Sequence, residues 1–184
     1  IFTDKVLKNR PVVNPLSFHQ FNKPMEIMAK FFNGDFAPIV NQSTIAKKRF
    51  QHLSKGQGLD NFVKMSASVL QKGGLVTLAV NATRKEKLDL NDTQKPIGFL
   101  LASLMAKNVK NIGIALVALG IENAKSYSKK EVGGMNLGKV CTITTANYFT
   151  LEEILNKKEV NNKIGNVDNF IRSEFAKVVP KEYL

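Results

Sequence analysis

The sequence is poor in the residues that build covalent or metal-held frameworks. Its single cysteine, Cys141, excludes a disulfide within the chain, and its apolar neighbours predict a buried structural thiol. Its two histidines, His19 and His52, lie far apart and lack a cysteine or second histidine at the spacing of a zinc site. We therefore expect no metal centre and no cofactor.

Long apolar runs are missing as well. The longest apolar stretch, from Ile97 to Ala106, is interrupted by Ser103 and has the length of a core helix rather than of a membrane span. We expect a protein at the membrane periphery or in the cytoplasm. Because the chain begins at Ile1 without an initiator methionine, a targeting segment or anchor ahead of it is left open.

Acidic residues are in the minority. Lys and Arg number 27 against 15 Asp and Glu, which gives a net charge of +12. This charge suits nucleic acid, anionic lipid headgroups and phosphorylated small ligands. The sequence has no aromatic RNA-binding signature, no Cys/His finger and no basic helix with base-reading character, so nucleic acid is the least favoured of the three.

Apolar strands and amphipathic helices alternate along the 184 residues. The predicted strands are Pro11–Val13, Ala37–Val40, Leu75–Val80, Ile112–Leu119 and Lys139–Thr144. The predicted helices are Lys23–Phe32, Leu59–Gln71, Pro96–Ala106, a helix capped by Thr150-x-x-Glu153, and Asn166–Val178. Such alternation predicts the α/β class: a single three-layer domain over residues 1–184, with a mostly parallel or mixed sheet covered by helices.

Three of the predicted strands run directly into polar turns. The turns are contained in three blocks, Val13-Asn14-Pro15-Leu16-Ser17-Phe18-His19-Gln20, Pro38-Ile39-Val40-Asn41-Gln42-Ser43 and Ala79-Val80-Asn81-Ala82-Thr83-Arg84. A fourth block, Ile112 to Gly120, is an apolar strand that ends on glycine. Because α/β proteins build sites where strands deliver polar turns, we expect the ligand-binding residues in these blocks.

The four blocks, in this order, resemble the motifs of the glycerophospholipid acyltransferase family, whose members acylate glycerol-3-phosphate and lysophosphatidate. The resemblance covers about residues 10–155 and implies an acyltransferase-like fold. The family's first block is Asn-His-x-x-x-x-Asp, in which the histidine is the general base and the aspartate orients it. Here Pro15 stands at the histidine and Gln20 at the aspartate, so the base is missing in this register.

The remaining blocks are altered too. In the second block Asn41 and Gln42 replace an Asp-Arg pair, and in the fourth Ala115 replaces a proline. The third block resembles Phe-Pro-Glu-Gly-Thr-Arg, with Asn81 for Glu and Ala82 for Gly. Only its last two residues, Thr83 and Arg84, are retained, so the resemblance implies that Arg84 can still meet a phosphate.

These replacements lead to the hypothesis of a catalytically degenerate acyltransferase-like domain that binds a lipid, an acyl chain or a phosphorylated glycerolipid. An anionic membrane surface is a further expected partner. The expected ligand-binding residues are Gln20, Asn41, Gln42, Asn81, Thr83 and Arg84.

Two alternatives remain open at this point. One is an active, divergent acyltransferase that moves a fatty acyl group from acyl-CoA or acyl-carrier protein to a lysophospholipid, with His19 as the base. The blander interpretation of His19 is a turn histidine that caps or bonds the backbone. The other alternative is a basic nucleic-acid-binding or interaction domain.

Overall fold

Helices and two small sheets make up the structure, a computed structural model that describes residues 10–31, 33–80, 88–121 and 141–179. The chain divides into two compact units. The first contains Ile1–Leu78 and Ala102–Lys110, and the second contains Ala79–Leu101 and Asn111–Leu184. One sheet is parallel and the other antiparallel, so the fold is mixed α/β, as the sequence predicts. The prediction of one domain over 1–184 stays a prediction.

A three-stranded parallel sheet lies in the first unit. Its strands are β1 (Val12–Ser17), β2 (Gly34–Ile39) and β3 (Leu75–Val76), in the order β2-β1-β3. Val13 of β1 and Ala37 of β2 are fully buried. The hydrophobic effect of burying such side chains holds the sheet against the helices that cover it.

The two ladders of β1 differ in length, and Pro15 explains the difference. β1 pairs with β2 over its whole length but with β3 only at Val12 and Val13. The last bond on the β3 side runs from Thr77 N to Val13 O, at 3.0 Å. Pro15 would be the next donor on that side, and proline has no N–H. The predicted strand from Leu75 to Val80 is therefore too long.

Helices α1 (Lys23–Phe31), α2 (Gln42–Ile45) and α3 (Leu59–Gln71) accompany this sheet. The apolar spacing of α3 predicts its observed bounds, and it packs on all three strands. Gly58 precedes α3 with φ of 93°, and a side-chain carbon there would lie 2.2 Å from Pro38 O. Only glycine therefore allows α3 to begin this close to β2.

An antiparallel ribbon forms the sheet of the second unit. Strand β4 (Gly113–Ile121) pairs with β5 (Cys141–Thr150), and an irregularity interrupts the register between Ala115 and Val117. Ala115 thus lies where β4 departs from regular pairing. The side chain of Cys141 lies outside the described part, so its burial stays a prediction.

Helix α4 (Pro96–Ala106) precedes these two strands in the chain, and helices α5 (Leu151–Leu155) and α6 (Val167–Ala176) follow them. The predicted bounds of α4 are confirmed, and so is the capping box of α5, in which Thr150 and Glu153 bond each other's backbone N–H. Phe149 of β5 meets Phe170 of α6 edge to face, with ring centroids 5.5 Å apart. This contact joins β5 to α6 in the core of the second unit.

A buried carboxylate caps α4. Asp168 is fully buried, and its oxygens accept from the backbone N–H groups of Ile97, at 3.0 Å, and Gly98, at 2.7 Å. Four N–H groups at the start of any helix lack partners within it, so this carboxylate satisfies two of them. A side-chain carbon at Gly98 would lie 2.9 Å from Asp168 Oδ2 and 2.8 Å from Ile164 O, so glycine is required for the close approach.

A buried arginine secures the chain that leads into α4. Arg172 is fully buried; its Nη1 donates to Asp92 O at 2.7 Å, and its Nη2 donates to Gln94 O. Asp168 and Arg172 are one turn apart on α6, so a single face of this helix holds both the start of α4 and the segment before it.

No helix in the described ranges combines the length and the apolar composition needed to cross a membrane.

Candidate functional site

The carboxyl ends of the three parallel strands lie at one edge of the sheet. β1 runs into a short turn of 3₁₀ helix, Phe18–Gln20, β2 runs into Asn41, and β3 runs into Thr77. In parallel α/β sheets this edge is where ligands bind. The side chains delivered there by the first two strands form one hydrogen-bonded group, which we call the strand-end cluster: Ser17, His19, Asn41 and Thr44.

Asn41 joins the ends of the first two strands. Its extended backbone makes it the cap of α2, where Oδ1 accepts from Thr44 N at 3.0 Å and from Thr44 Oγ1 at 2.9 Å. On its other side, Nδ2 donates to Ser17 Oγ at 2.6 Å. One amide therefore connects the end of β1 to the helix that follows β2.

His19 joins the strand-end cluster through Thr44. Its Nδ1 lies 3.0 Å from Thr44 Oγ1, and Thr44 is fully buried while His19 is half-buried. Burial lowers the pKa of His19 below its ordinary value of 6.5, and the positive charges of Lys47 and Arg49 lower this pKa further. The neutral imidazole is therefore the predominant form of His19 at pH 7.

Basic residues flank the strand-end cluster. Lys47, Lys48 and Arg49 are exposed, and within the described part of the chain neither Lys47 nor Arg49 pairs with a carboxylate. The Arg49 guanidinium stacks on Phe50, 4.5 Å from the ring centroid, and Phe50 meets Phe18 edge to face at 5.7 Å. The cluster thus has a positively charged and partly aromatic border, which favours an anionic ligand with an apolar portion.

A second polar contact lies on the β3 side. Thr77 Oγ1 donates to Asn14 Oδ1, so a hydroxyl and an amide connect β3 to β1 beyond the last backbone bond. All the polar side chains named at this edge are neutral or basic. Among the described residues, no three His, Cys, Asp or Glu side chains gather as a metal would require.

The structure brings together only some of the residues that the sequence singles out. His19 and Asn41 meet through Thr44, as described above. Gln20 is half-buried, and its backbone carbonyl accepts from Asn22, whereas Gln42 is exposed in the first turn of α2. Neither glutamine side chain has a hydrogen-bond partner in the described part.

The third block lies mostly outside the described residues. This applies to Asn81, Thr83 and Arg84, so their expected role in ligand binding, and the expected contact of Arg84 with a phosphate, stay predictions. Pro15 lies inside β1 opposite Ala37 of β2.

Sequence reasoning missed Thr44, the residue that contacts both His19 and Asn41. A signal was available: Asn41-x-x-Thr44 has the spacing at which a capping side chain meets the third residue of a helix. His19 lies in a turn, and its Nδ1 meets a side-chain hydroxyl rather than the backbone.

Comparisons with known proteins found no match: neither a family model, nor a curated protein, nor a solved structure matches the chain.

Proposed function

We propose that this chain is a catalytically degenerate, three-layer acyltransferase-like domain that binds a phosphorylated glycerolipid, another lipid or an acyl chain and does not transfer acyl groups. The ligand would lie at the carboxyl edge of the parallel sheet, against the strand-end cluster and its basic border. Residues proposed to contact it at this edge are Gln20, Asn41 and Gln42, and the sequence alone proposes Asn81, Thr83 and Arg84 as further ligand-binding residues.

The observation that carries this proposal is the partner of His19. A histidine that acts as general base in acyl transfer is held by a carboxylate, which stabilises the imidazolium that forms when the ring takes a proton. Here Nδ1 meets the hydroxyl of Thr44, and within the described part no carboxylate contacts His19. Lys47 and Arg49 disfavour the imidazolium further, so the arrangement suits binding better than proton transfer.

The border of the strand-end cluster supports an anionic ligand. Lys47 and Arg49 stand close enough to His19 to lower its pKa, and neither is neutralised by a described carboxylate. A lysophosphatidate offers a phosphate for these cations and an acyl chain for the adjoining Phe18 and Phe50. The same charge supports a location at a membrane surface, since basic residues near an anionic bilayer each contribute about 1 kcal/mol.

The test measures binding and turnover on the same preparation. We expect the protein to float with phosphatidylcholine vesicles that contain lysophosphatidate, and to transfer no label from acyl-CoA or acyl-carrier protein to lysophosphatidate or glycerol-3-phosphate. The double variant Lys47→Gln/Arg49→Gln should weaken vesicle binding by roughly 30-fold, the equivalent of about 2 kcal/mol for two cations.

The matched control removes the same charge elsewhere in the first unit. Lys64 and Lys72 are exposed, on α3 and directly after it, so Lys64→Gln/Lys72→Gln lowers the net charge equally and should leave most of the binding intact. Equal losses of vesicle affinity in the two double variants would show that binding depends only on net charge. That result would contradict a site at the strand-end cluster.

A specific observation favours the runner-up, an active divergent acyltransferase with His19 as base. The other ring nitrogen, Nε2, has no partner in the described part, and the ring is neutral at pH 7. Nε2 would take the proton of the acceptor hydroxyl as its oxygen bonds the acyl carbon. The thioester C–S bond would then break, and the thiolate would recover the proton from the imidazolium.

Turnover that is abolished by His19→Ala and unchanged by His52→Ala would establish this runner-up and reject the noncatalytic proposal. The absence of turnover together with specific lysophosphatidate binding would do the reverse.

A further inference from the structure

The orientation of the Asn41 amide follows from a donor whose role is certain. The backbone N–H of Thr44 can only donate, and it lies 3.0 Å from one terminal atom of the Asn41 side chain. That atom must therefore be the oxygen, Oδ1, because the amide nitrogen has no capacity to accept. The other terminal atom is then Nδ2, which donates to Ser17 Oγ at 2.6 Å.

The position of the hydroxyl proton of Thr44 follows next. Its Oγ1 lies 2.9 Å from Asn41 Oδ1, and that oxygen can only accept, so the single proton of Thr44 points to Asn41. At its contact with His19, 3.0 Å from Nδ1, Thr44 is left with lone pairs alone. The bond therefore needs a proton on Nδ1. Thr44 has 0 % of its surface exposed, so water does not compete for its hydroxyl.

The consequence concerns the other ring nitrogen. In a neutral imidazole only one nitrogen carries a proton, and the hydrogen bond that this nitrogen makes decides which one it is. With the proton on Nδ1, Nε2 keeps its lone pair and acts only as an acceptor. No residue in the described ranges donates to Nε2, so this nitrogen can accept from a donor outside the strand-end cluster.

We propose that Thr44 is a positioning residue that holds His19 in the Nδ1–H tautomer, so that Nε2 accepts a hydrogen bond from a hydroxyl group of the bound ligand. Asn41 acts one step further back, since it orients the hydroxyl of Thr44. The tautomer itself is a property of the free protein, whereas the ligand contact rests on the proposed function.

The spectra of the ring nitrogens test the tautomer directly. In ¹⁵N-histidine-labelled protein carrying His52→Gln, which leaves His19 as the sole histidine, we expect a protonated-type Nδ1 signal and an unprotonated-type Nε2 signal at pH 7. Thr44→Val keeps the β-branched shape without the hydroxyl, and it should move both signals towards the average of two exchanging tautomers. Thr44→Ser, which restores the hydroxyl, should return them to the original positions.

Two results would overturn the positioning role of Thr44. The first is a spectrum of the His52→Gln protein with Thr44 intact that places the proton of His19 on Nε2, a measurement that needs no Thr44 variant to fold. The second is an unchanged tautomer in folded Thr44→Val protein, because a merely structural role for Thr44 would leave the ring nitrogens alone.

Addition of lysophosphatidate tests the ligand contact. We expect the Nε2 signal to move more than the Nδ1 signal, and the affinity of Thr44→Val to fall about tenfold, the equivalent of one hydrogen bond of about 1.4 kcal/mol, with recovery in Thr44→Ser. Binding that moves neither nitrogen would overturn the contact with His19. If no protein binds lysophosphatidate while the spectra show the Nδ1–H tautomer, the proposed function fails and the role of Thr44 stands.

Discussion

The charge of His19 depends on groups that surround its ring. Burial is the larger cause of its lowered pKa, and the cations Lys47 and Arg49 add to it. Since both effects oppose the imidazolium, His19 binds its proton less readily in the folded protein than in the unfolded chain.

We expect His19 to titrate below 6.5, followed by NMR of its ring protons. Lys47→Gln/Arg49→Gln should raise this midpoint without restoring 6.5, because burial, the larger cause, remains. Because the pKa of His19 is lowered, the unfolded chain binds the proton more tightly than the folded protein does. The contribution of His19 to the free energy of unfolding is therefore fully present above about pH 6.5 and is lost as the pH falls through the folded-state pKa.

The Lys64→Gln/Lys72→Gln variant provides the comparison for this titration. An equal rise of the His19 midpoint in both double variants would show that net charge, rather than the neighbouring cations, sets the pKa.

The site was predicted from the sequence to the extent that polar turns follow strands. His19 and Asn41 were singled out because they follow β1 and β2, and the parallel sheet brings these two strand ends to one edge. Thr44 was missed because its role depends on contacts with Asn41, 3 residues away, and His19, 25 residues away. Only the contact with Asn41 corresponds to a recognisable spacing in the sequence. Arg84 lies outside the described residues, so its role was not tested.

The start of α4 depends on a partner that is distant in sequence. Its first turn contains no acidic residue, and the acceptor for its N–H groups comes from Asp168 on α6. The contact is buried, where an unpaired backbone N–H costs about 1–3 kcal/mol.

Removal of this cap should destabilise the fold. We expect Asp168→Ala to lower the free energy of unfolding by about 1–3 kcal/mol for each N–H left without a partner, measured by urea denaturation. Gly98→Ala should cost about 1–3 kcal/mol, because the added methyl group meets Asp168 Oδ2 and Ile164 O inside normal contact distance.

Gly165→Ala is the matched control for Gly98→Ala. A side-chain carbon at Gly165 meets only Lys95 Nζ, at an ordinary 3.7 Å, so this variant should unfold like the wild type. A neutral Gly98→Ala variant would contradict the requirement for a close approach at this helix.

Helices were predicted from the sequence more accurately than strands. The apolar periodicity of α3 and the almost continuous apolar run of α4 are local signals, so their bounds were predicted correctly. The length of β3 depends on whether β1 can donate backbone hydrogen bonds to it. Pro15 of β1, 60 residues before Leu75, has no N–H and ends the pairing. Apolar composition between Leu75 and Val80 contains no information about that proline.

The net charge of +12 belongs to the chain as a whole. It attracts any polyanion, so charge alone does not separate a lipid surface from nucleic acid. The proposed function distinguishes them, because it places the anionic group beside particular cations and the acyl chain beside Phe18 and Phe50.

We expect binding to anionic vesicles to weaken as salt increases, since screening shortens the reach of each charge to about 8 Å at 0.15 M ionic strength. A residual, salt-resistant part should remain for lysophosphatidate because its acyl chain is buried on binding. The measurement is vesicle flotation across a salt series. A DNA duplex is the competitor, added at the same concentration of negative charge as the vesicles carry. Tighter binding to the duplex than to the vesicles would favour the nucleic-acid alternative.

The contact between Gly98 and Asp168 also limits how the sequence can evolve at these two positions. A larger residue at position 98 collides with the carboxylate, and a carboxylate lost from position 168 leaves the start of α4 without its acceptor. Neither position can change first without a penalty, although the two are 70 residues apart. Descendants of this chain should therefore keep the glycine and the aspartate as a pair, or lose both together with the helix start that they define.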